Sequence, residues 1–453
     1  MNSALLIFLT VLFSFIVAKL ILKKINAIFI FFLSGIVIML VANALTGTPI
    51  LGKTTMGSPL LDVFGYLTKS FKSSVSGVGM IIMIVTGYAA FMKHIRASDK
   101  LAYLASNPLS RIKNKYLVLS GMYLVGMALK LVITSQAGLA VLLLATIFPV
   151  LMAIGISPIT AASVLTLICI DYGPNDGSTI FMSGVLKMNV VDLFLHHQIF
   201  VAGSIIIVLA LLIPVYYRYT DNLDKERGTY NAREVTVLEN PPVPGYYAVL
   251  PVIPLAIVFI DYFIPTTKVD VITANIMGMF ITFVIEAIRR KDRSSIPKDV
   301  LVILRAMGDI FVSVVAIIIS ASCFAQGIKM LGGIGIFANY FSTMEGAAFI
   351  IMLALAVLTF LFGVIMGSGA ASFFAFGPLT PDIASKLGIP TVTLILPMEI
   401  SSALGRACSP VCGAVIAVAG VAGIEPIVLV KRSAPMLITA LIINCVASYI
   451  FGM

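Results

Sequence analysis

The residue best suited to bind an anion is an arginine inside an apolar segment. Arg406 lies within an apolar run from residue 390 to 424, which is long enough to cross a lipid bilayer. A guanidinium at the centre of a bilayer costs about 2.5–3.5 kcal/mol, so it needs a partner. That partner is either a buried carboxylate, such as Glu399 or Asp176, or the carboxylate of a ligand held by the planar fork. The sequence favours the ligand.

Polar residues break two apolar segments at corresponding places. Residues 171–179 (DYGPNDGST) interrupt the run 158–186, and residues 401–410 (SSALGRACSP) interrupt the run 390–424. Glycine and proline free backbone carbonyls there, which is tolerated only where the backbone faces protein or a watery cavity. Within the first break, Asp171 and Asp176 could carry protons, bind a cation or cap a helix end.

Two longer apolar runs each contain a short polar interruption. Residues 134–138 (TSQAG) divide the run 116–155, and residues 367–371 (GSGAA) divide the run 346–388. Each run could form two full spans or one re-entrant hairpin with its tip inside the bilayer. Arms of about 17–21 residues, at or just below the length of a span, and uncharged tips favour hairpins. Lys130, just before the first tip, is expected to face water or to form an ion pair.

The two tips and the two breaks together predict one binding site. Hydroxyl groups, amides and helix N-termini suit an anion, while free carbonyls suit Na⁺. Small-residue packing between helices is the competing explanation for any single serine or glycine. The residues predicted to bind a small carboxylate are Arg406, Ser135, Gln136, Ser368, Gly369, Asn175 and Ser409. Those predicted to bind an accompanying cation, Na⁺ or H⁺, are Asp176, Thr134, Ser178 and Ser402.

Composition excludes a water-soluble protein. Of 453 residues, 60% are apolar and 11% are charged, with a mean hydropathy of +1.09. Soluble domains have about 25% charged residues. The sequence predicts an all-α polytopic membrane protein with about ten transmembrane helices plus the two hairpins. The first apolar run is expected to be a retained helix, and the ten predicted spans are 3–22, 26–45, 74–93, 158–186, 195–216, 246–264, 268–288, 300–328, 390–424 and 434–453.

The distribution of positive charge predicts the topology. Lys and Arg residues number 30, and they concentrate at one set of loops when the two long runs return to their starting side. Cytoplasmic loops collect such residues, so both termini are predicted outside. A single crossing of the first long run would move the basic cluster 289–298 outside. The charged and proline-rich segment 217–245 is predicted to be a cytoplasmic linker.

An internal repeat relates the two halves. Thr134 aligns with Gly367 at a shift of 233 residues, and Gly177 aligns with Gly413 at a shift of 236. Residues 1–216 and 246–453 thus each contain three spans, a hairpin, a broken span and a last span. Five spans per half make the repeats inverted, an arrangement typical of secondary transporters. The alternatives are an anion channel or an intramembrane enzyme, but the two aspartates share one break and no HExxH motif occurs. We therefore expect no enzyme, no structural metal and no cofactor.

Several motifs resemble those of one bacterial family. They are residues 87–95 (GYAAFMKHI), 138–149 (GLAVLLLATIFP), 367–369 (GSG), the block from Leu404 through Arg406 to Gly420, and 430–433 (VKRS). In these the chain resembles the DcuC-type anaerobic C4-dicarboxylate carriers of the ion transporter superfamily, over nearly its whole length. It differs at Ala370, where the best-known members tend to have Asn, and at Ser178, where they tend to have an acid.

The resemblance implies a function and an architecture. It implies a secondary active carrier of succinate, fumarate, malate or aspartate, working by cation-coupled transport, exchange or efflux, in the bacterial inner membrane. It also implies a homodimer whose transport domain moves like an elevator, with lipid and a dicarboxylate as partners and no nucleic acid. A carrier of another carboxylate or an amino-acid-like anion is the alternative. The residues leave open whether Na⁺ or H⁺ is the coupling ion.

Overall fold

The chain is helical throughout its described part. A computed structural model describes residues 3–23, 25–52, 54–106, 114–228, 240–264, 269–290, 296–333, 336 and 346–452, and no strand occurs in these ranges. The predicted linker 217–245 and the basic cluster 289–298 lie partly outside the described residues. All residues predicted to form the binding site lie inside them.

The first half forms helices α1–α11. Two π-helical turns, Val75–Gly79 and Phe194–Gln198, interrupt longer helices without ending them. The helices are α1 (Ser3–Leu22), α2 (Ala27–Thr46), α3 (Pro59–Ser74), α4 (Met80–His94), α5 (Ala97–Ser106), α6 (Lys115–Lys130), α7 (Gln136–Ala153), α8 (Pro158–Leu167), α9 (Gly177–Leu186), α10 (Val190–Leu193) and α11 (Ile199–Glu226).

The second half forms helices α12–α21. A 3₁₀ turn at Gly245–Val252 leads into it, and a π-helical turn at Phe311–Val315 joins two of its helices. The helices are α12 (Ile253–Phe263), α13 (Val271–Arg289), α14 (Ile296–Ile310), α15 (Ala316–Leu331), α16 (Ala347–Met366), α17 (Gly369–Phe376), α18 (Thr380–Leu387), α19 (Val392–Ala407), α20 (Gly413–Ala422) and α21 (Pro426–Phe451).

Eight helical segments in the described residues are long and apolar enough to cross a membrane. Seven coincide with predicted spans, and the eighth, α16, is the first arm of the predicted second hairpin. The predicted spans 158–186 and 390–424 are absent from this set because each is broken into two shorter helices. The count of ten spans stays a prediction. The eight segments are Ala27–Thr46, Pro59–His94, Val190–Glu226, Gly245–Phe263, Val271–Arg289, Ile296–Leu331, Ala347–Met366 and Pro426–Phe451.

The helices of both long runs break at the predicted polar residues. Helices α6 and α7 contact each other across a break at residues 131–135, and α16 and α17 contact each other across residues 367–368. A serine caps the second helix in each case. Ser135 accepts a hydrogen bond from the Gly138 amide, and Ser368 accepts one from the Ala371 amide. That these helix pairs turn back within the bilayer stays a prediction.

The shifts found in the sequence recur in the structure. Ser135 and Ser368, 233 residues apart, cap equivalent helices. Helices α9 and α20 coincide at a shift of 236, and so do the π-helical turns Val75–Gly79 and Phe311–Val315. These equivalences support the internal repeat, while the opposite orientation of the halves stays a prediction.

Apolar packing joins helices from both halves into one large core. It contains α6–α9 and α11 from the first half and α19–α21 from the second. A smaller core packs α1, α2 and α3 against α15, and another packs α4 and α5 against α14 and the 3₁₀ turn before α12. Outer faces carry large exposed apolar side chains such as Val215, Phe280 and Ile288, which suits contact with lipid.

Close backbone contact between α16 and α19 gives a testable prediction about packing. A Cβ atom on Gly405 would lie 2.1 Å from the Phe360 carbonyl oxygen, which belongs to rigid helix backbone. Overpacking of this kind costs about 1–3 kcal/mol, so we expect Gly405→Ala to lower the thermal unfolding temperature in detergent. Gly420→Ala is the matched control, since nothing lies within 4 Å of its Cβ position. Equal unfolding temperatures for the two variants would contradict the packing.

Candidate functional site

The predicted tip and break residues meet around one cavity of about 200 Å³. One wall is mostly apolar and comes from α4, the end of α14 and the following π-helical turn, with Ile82, Val85 and Ile310 facing the cavity. The opposite wall is polar. It is formed by the break between α6 and α7, the break between α8 and α9, and Arg406 in the last turn of α19.

The break between α8 and α9 is shaped by its own sequence. Gly173 has φ +100°, a conformation that L-residues with a side chain rarely adopt, and Pro174 follows it. Helix α9 then starts afresh, with the Asp176 side chain accepting a hydrogen bond from the Ser178 amide at 2.8 Å. An aspartate at this position satisfies a free amide and complements the helix dipole. Asp176 is therefore a helix cap whatever else it binds.

Four charged side chains form a buried network beside the cavity. Lys130 is fully buried, and its ammonium lies 3.0 Å from Asp171 and 3.2 Å from Asp176. The Arg406 guanidinium lies 3.0 Å from the same Asp171 oxygen. Two cations thus face two carboxylates, so each buried charge has a partner of opposite sign. The prediction that Lys130 forms an ion pair is confirmed.

Arg406 pairs with Asp171 rather than with Glu399 or Asp176, the two carboxylates suggested by the sequence. One terminal nitrogen donates both to Asp171 and to the Cys169 carbonyl, each at 3.0 Å. The Nε of Arg406 is buried without a hydrogen-bond partner among the described residues. A guanidinium has five donors in a planar fork. It can therefore hold Asp171 and still present donors to a further acceptor.

Three helix N-termini lie at the cavity. Ser135 and Gln136 begin α7, Gly177 and Ser178 begin α9, and Ala370 belongs to the first turn of α17. Each N-terminus carries unpaired amides and a partial positive charge, which attract an anion. The Gln136 side chain is oriented by a bond from its amide nitrogen to the Ile168 carbonyl at 3.0 Å. Its carbonyl oxygen, like that of Asn175, is buried and has no partner among the described residues.

A second polar network holds the two broken helices together. Glu399 is fully buried in α19 and accepts hydrogen bonds from Thr179 at 3.0 Å and from Gln198 at 2.8 Å. Gln198 also accepts a hydrogen bond from the Gly173 amide at 2.9 Å. The network thus fixes the break that carries Asp171 relative to the helix that carries Arg406. Sequence analysis missed Gln198 and Thr179 in this role, although an isolated carboxylate in an apolar run marked Glu399.

The structure brings most, not all, of the predicted site residues to the cavity. Those that line it are Thr134, Ser135, Gln136, Asn175, Asp176, Ser178 and Arg406. Four others lie behind it: Ser368 caps α17, Gly369 packs against the Ser402 backbone, Ser402 donates to the Glu399 carbonyl, and Ser409 accepts from the Val411 amide. These four position the neighbouring backbone. The binding roles of all eleven stay predictions.

Comparison with known families places the chain. The sequence profile of the family described as DcuC, C4-dicarboxylate anaerobic carrier, matches residues 5–451. The chain belongs to the DcuC family. It is 33% identical over 435 residues to the anaerobic C4-dicarboxylate transporter DcuC of Escherichia coli, covering 95% of this chain and 94% of that protein. It is 32% identical to a probable DcuC transporter of Vibrio cholerae, with 89% of each chain covered.

Solved structures show the same fold at low sequence identity. The YdaH transporter of Alcanivorax borkumensis superposes with a TM-score of 0.64 at 13% identity, covering 93% of this chain and 97% of that one. MtrF of Neisseria gonorrhoeae, from a class of antimetabolite efflux pumps, superposes with a TM-score of 0.61 at 12% identity, covering 92% and 94%. At this identity the likeness concerns the fold.

Membership of the DcuC family settles the broad class. The family consists of membrane carriers, so the predicted family resemblance and the assignment as a transporter rather than an enzyme are confirmed. The chain is a multi-span helical membrane protein with bacterial relatives.

Proposed function

We propose that this DcuC-family protein is a secondary active carrier of C4-dicarboxylates such as succinate, fumarate, malate and aspartate. The observation that carries the proposal is the position of Arg406, whose guanidinium reaches a small cavity lined by the breaks of two helices. Pockets for drug-sized ligands have volumes of about 300–1,000 Å³. A cavity of about 200 Å³ suits a short diacid better than a larger molecule.

The proposed binding mode uses different donors for the two carboxylates of the substrate. One carboxylate binds the fork of Arg406, whose Nε has no partner among the described residues. The other binds the amides and hydroxyl groups at the N-termini of α7 and α9, where Ser135 and Ser178 line the cavity. The apolar wall from α4 and α14 packs against the carbon chain.

Charge balance supports cation coupling. Lys130 and Arg406 already balance Asp171 and Asp176, so a dianionic substrate would add two uncompensated charges. A cation bound together with the substrate offsets part of this cost. Asp176 and the unpartnered side-chain oxygens of Gln136 and Asn175 are oxygen ligands of the kind that Na⁺ uses, and Asp176 could equally take a proton.

The family resemblance and the charge distribution support three further proposals. The carrier lies in the bacterial inner membrane with both termini outside, it assembles as a homodimer, and its broken helices move with the hairpins as an elevator. The large core shared by α6–α9 and α19–α21 supports the last of these, because elements packed in one core move together.

Uptake by proteoliposomes tests the proposed function. We expect saturable uptake of labelled succinate or fumarate, with counterflow when unlabelled dicarboxylate is preloaded, and inhibition by C4-dicarboxylates rather than by monocarboxylates. An inward Na⁺ gradient or an inward proton gradient should accelerate the uptake, which identifies the coupling ion. Flux that never saturates would indicate a channel, and absence of dicarboxylate uptake by folded protein would refute the substrate assignment.

A further inference from the structure

A second cavity adjoins the candidate site. It has a volume of about 360 Å³, lies between α4, α5 and α7, and shares Thr86 and Ser135 with the site. We call this cavity the vestibule. Its remaining polar lining comes from Lys93, Ser98 and Asp99, near the end of α4 and the start of α5.

The site communicates with one end of α4 only through this vestibule. Along α4, Ile81 lines a different cavity of about 520 Å³ near Asn189 and Asp270, and Thr86 to Lys93 line the vestibule. The cavity near Asn189 shares no lining residue with the site in the described part of the chain. The structure therefore shows a site that opens towards Lys93 and is separated from the opposite end by side chains such as Ile180.

Charge makes the vestibule attractive to an anion. Lys93 is exposed and has no ion pair among the described residues. The acidic residue in the lining, Asp99, is paired with Arg96 at 3.0 Å, so its charge is compensated. The neighbouring His94 lies against Asp299 at 3.1 Å. Lys93 is thus left as a free positive charge in a cleft that leads to Arg406, an arrangement that raises the local concentration of anions.

We propose that the vestibule is an access subsite for the dicarboxylate, with Lys93 as its first carboxylate contact before Arg406. The structure is then the conformation in which the site is open at the Lys93 end of α4. This inference rests on the proposed function for the identity of the ligand. Its geometric half, the sidedness of the opening, can be tested without any substrate.

Cysteine accessibility tests the opening. All five native cysteines are buried and give a low background. We introduce Ala90→Cys in the vestibule and Ser183→Cys in the cavity near Asn189, and label both with a membrane-impermeant thiol reagent in right-side-out and inside-out vesicles. Ala90→Cys should react at least about tenfold faster from one face, and Ser183→Cys from the other. Equal reactivity of Ala90→Cys from both faces, or the same preferred face for both variants, would overturn the proposed opening.

Added succinate then tests the ligand. It should slow the labelling of Ala90→Cys at least about threefold, while leaving that of Ser183→Cys unchanged. If the sidedness holds but wild-type protein neither transports nor is protected by dicarboxylates, the proposed function fails and the opening stands. Normal dicarboxylate transport without protection at Ala90→Cys would reject the subsite alone.

Kinetics of Lys93 variants complete the test. We expect Lys93→Ala to raise the KM for succinate about three- to tenfold with little change in the maximal rate, and Lys93→Glu to raise it further. Lys93→Arg should keep the wild-type KM, and salt should reduce the difference between wild type and Lys93→Ala. Lys72→Ala is the matched control, since Lys72 is exposed at the end of α3 and lines none of the three cavities. An unchanged KM for Lys93→Ala would overturn the role of Lys93.

Discussion

Replacing Arg406 with alanine is expected to reduce dicarboxylate uptake by about 100-fold or more in proteoliposomes. Removing one member of a buried, hydrogen-bonded charge pair costs about 2–5 kcal/mol, and each 1.4 kcal/mol corresponds to a factor of ten. The loss combines two effects. The substrate loses its fork, and Asp171 keeps only Lys130 as a cationic partner.

Arg406→Lys separates these two effects. Lysine keeps a positive charge near Asp171 but has no planar fork, so it cannot bind a carboxylate through two parallel hydrogen bonds. We expect this variant to unfold at nearly the wild-type temperature and yet to transport with a KM raised at least about tenfold. Restoration of the wild-type KM by lysine would show that Arg406 contributes charge alone.

Arg432 supplies the matched control for Arg406. It is another largely buried arginine, and its guanidinium lies 3.0 Å from Asp221 and 2.7 Å from Asp224, outside the cavity. Arg432→Lys should lower stability slightly without changing the KM by more than about twofold. Normal transport by Arg406→Ala would remove Arg406 from the binding site, and a raised KM for Arg432→Lys would mean that KM does not report on the cavity.

The interruptions of the helices could be predicted from sequence because they follow from local chemistry. Glycine, proline and polar residues inside an apolar run cannot continue a lipid-facing helix. The break predicted at residues 171–179 lies at 168–176 in the structure, and the tips predicted at 134–138 and 367–371 lie at 131–135 and 367–368. The cavity forms where these breaks meet, so its membership was largely predictable.

The pairing of charges could not be predicted in the same way. Asp171 and Asp176 lie in an irregular segment whose side-chain directions depend on Gly173 and on the hydrogen bond from its amide to Gln198. Hydropathy places Arg406 in the membrane segment but does not give the rotation of α19 about its axis. The partner of Arg406 therefore emerged only from the packing of α19 against the break between α8 and α9.

Helix length was misjudged where a helix changes its hydrogen bonding without ending. The predicted span 74–93 is the second part of a continuous segment, Pro59–His94, that passes through the π-helical turn Val75–Gly79. The charged residues Asp62, Lys69 and Lys72 lower the hydropathy of its first part. Asp62 is nevertheless buried and accepts a hydrogen bond from the Met56 amide at 2.6 Å, so its polarity is satisfied within the fold.

Replacing Lys130 with methionine is expected to destabilise the folded protein by about 3–5 kcal/mol. Lys130 is fully buried, and it donates to Asp176 at 3.2 Å and to the Thr134 carbonyl at 2.9 Å. Methionine fills a similar volume but leaves Asp176 as a buried carboxylate with no cation beside it, since Arg406 lies at Asp171. Breaking a buried pair from one side costs this much because the remaining charge keeps its desolvation penalty.

The double variant Lys130→Met/Asp176→Asn shows whether that penalty is electrostatic. Asparagine keeps a side-chain oxygen for the Ser178 amide, so the cap of α9 survives while both charges are removed. We expect the double variant to recover more than half of the stability lost by Lys130→Met, as measured by thermal or denaturant unfolding in detergent. The coupling energy from the full cycle of single and double variants then measures the pair itself. Independent, additive losses would mean that Lys130 stabilises the break through packing and the Thr134 carbonyl, and that the two carboxylates do not need it for charge balance.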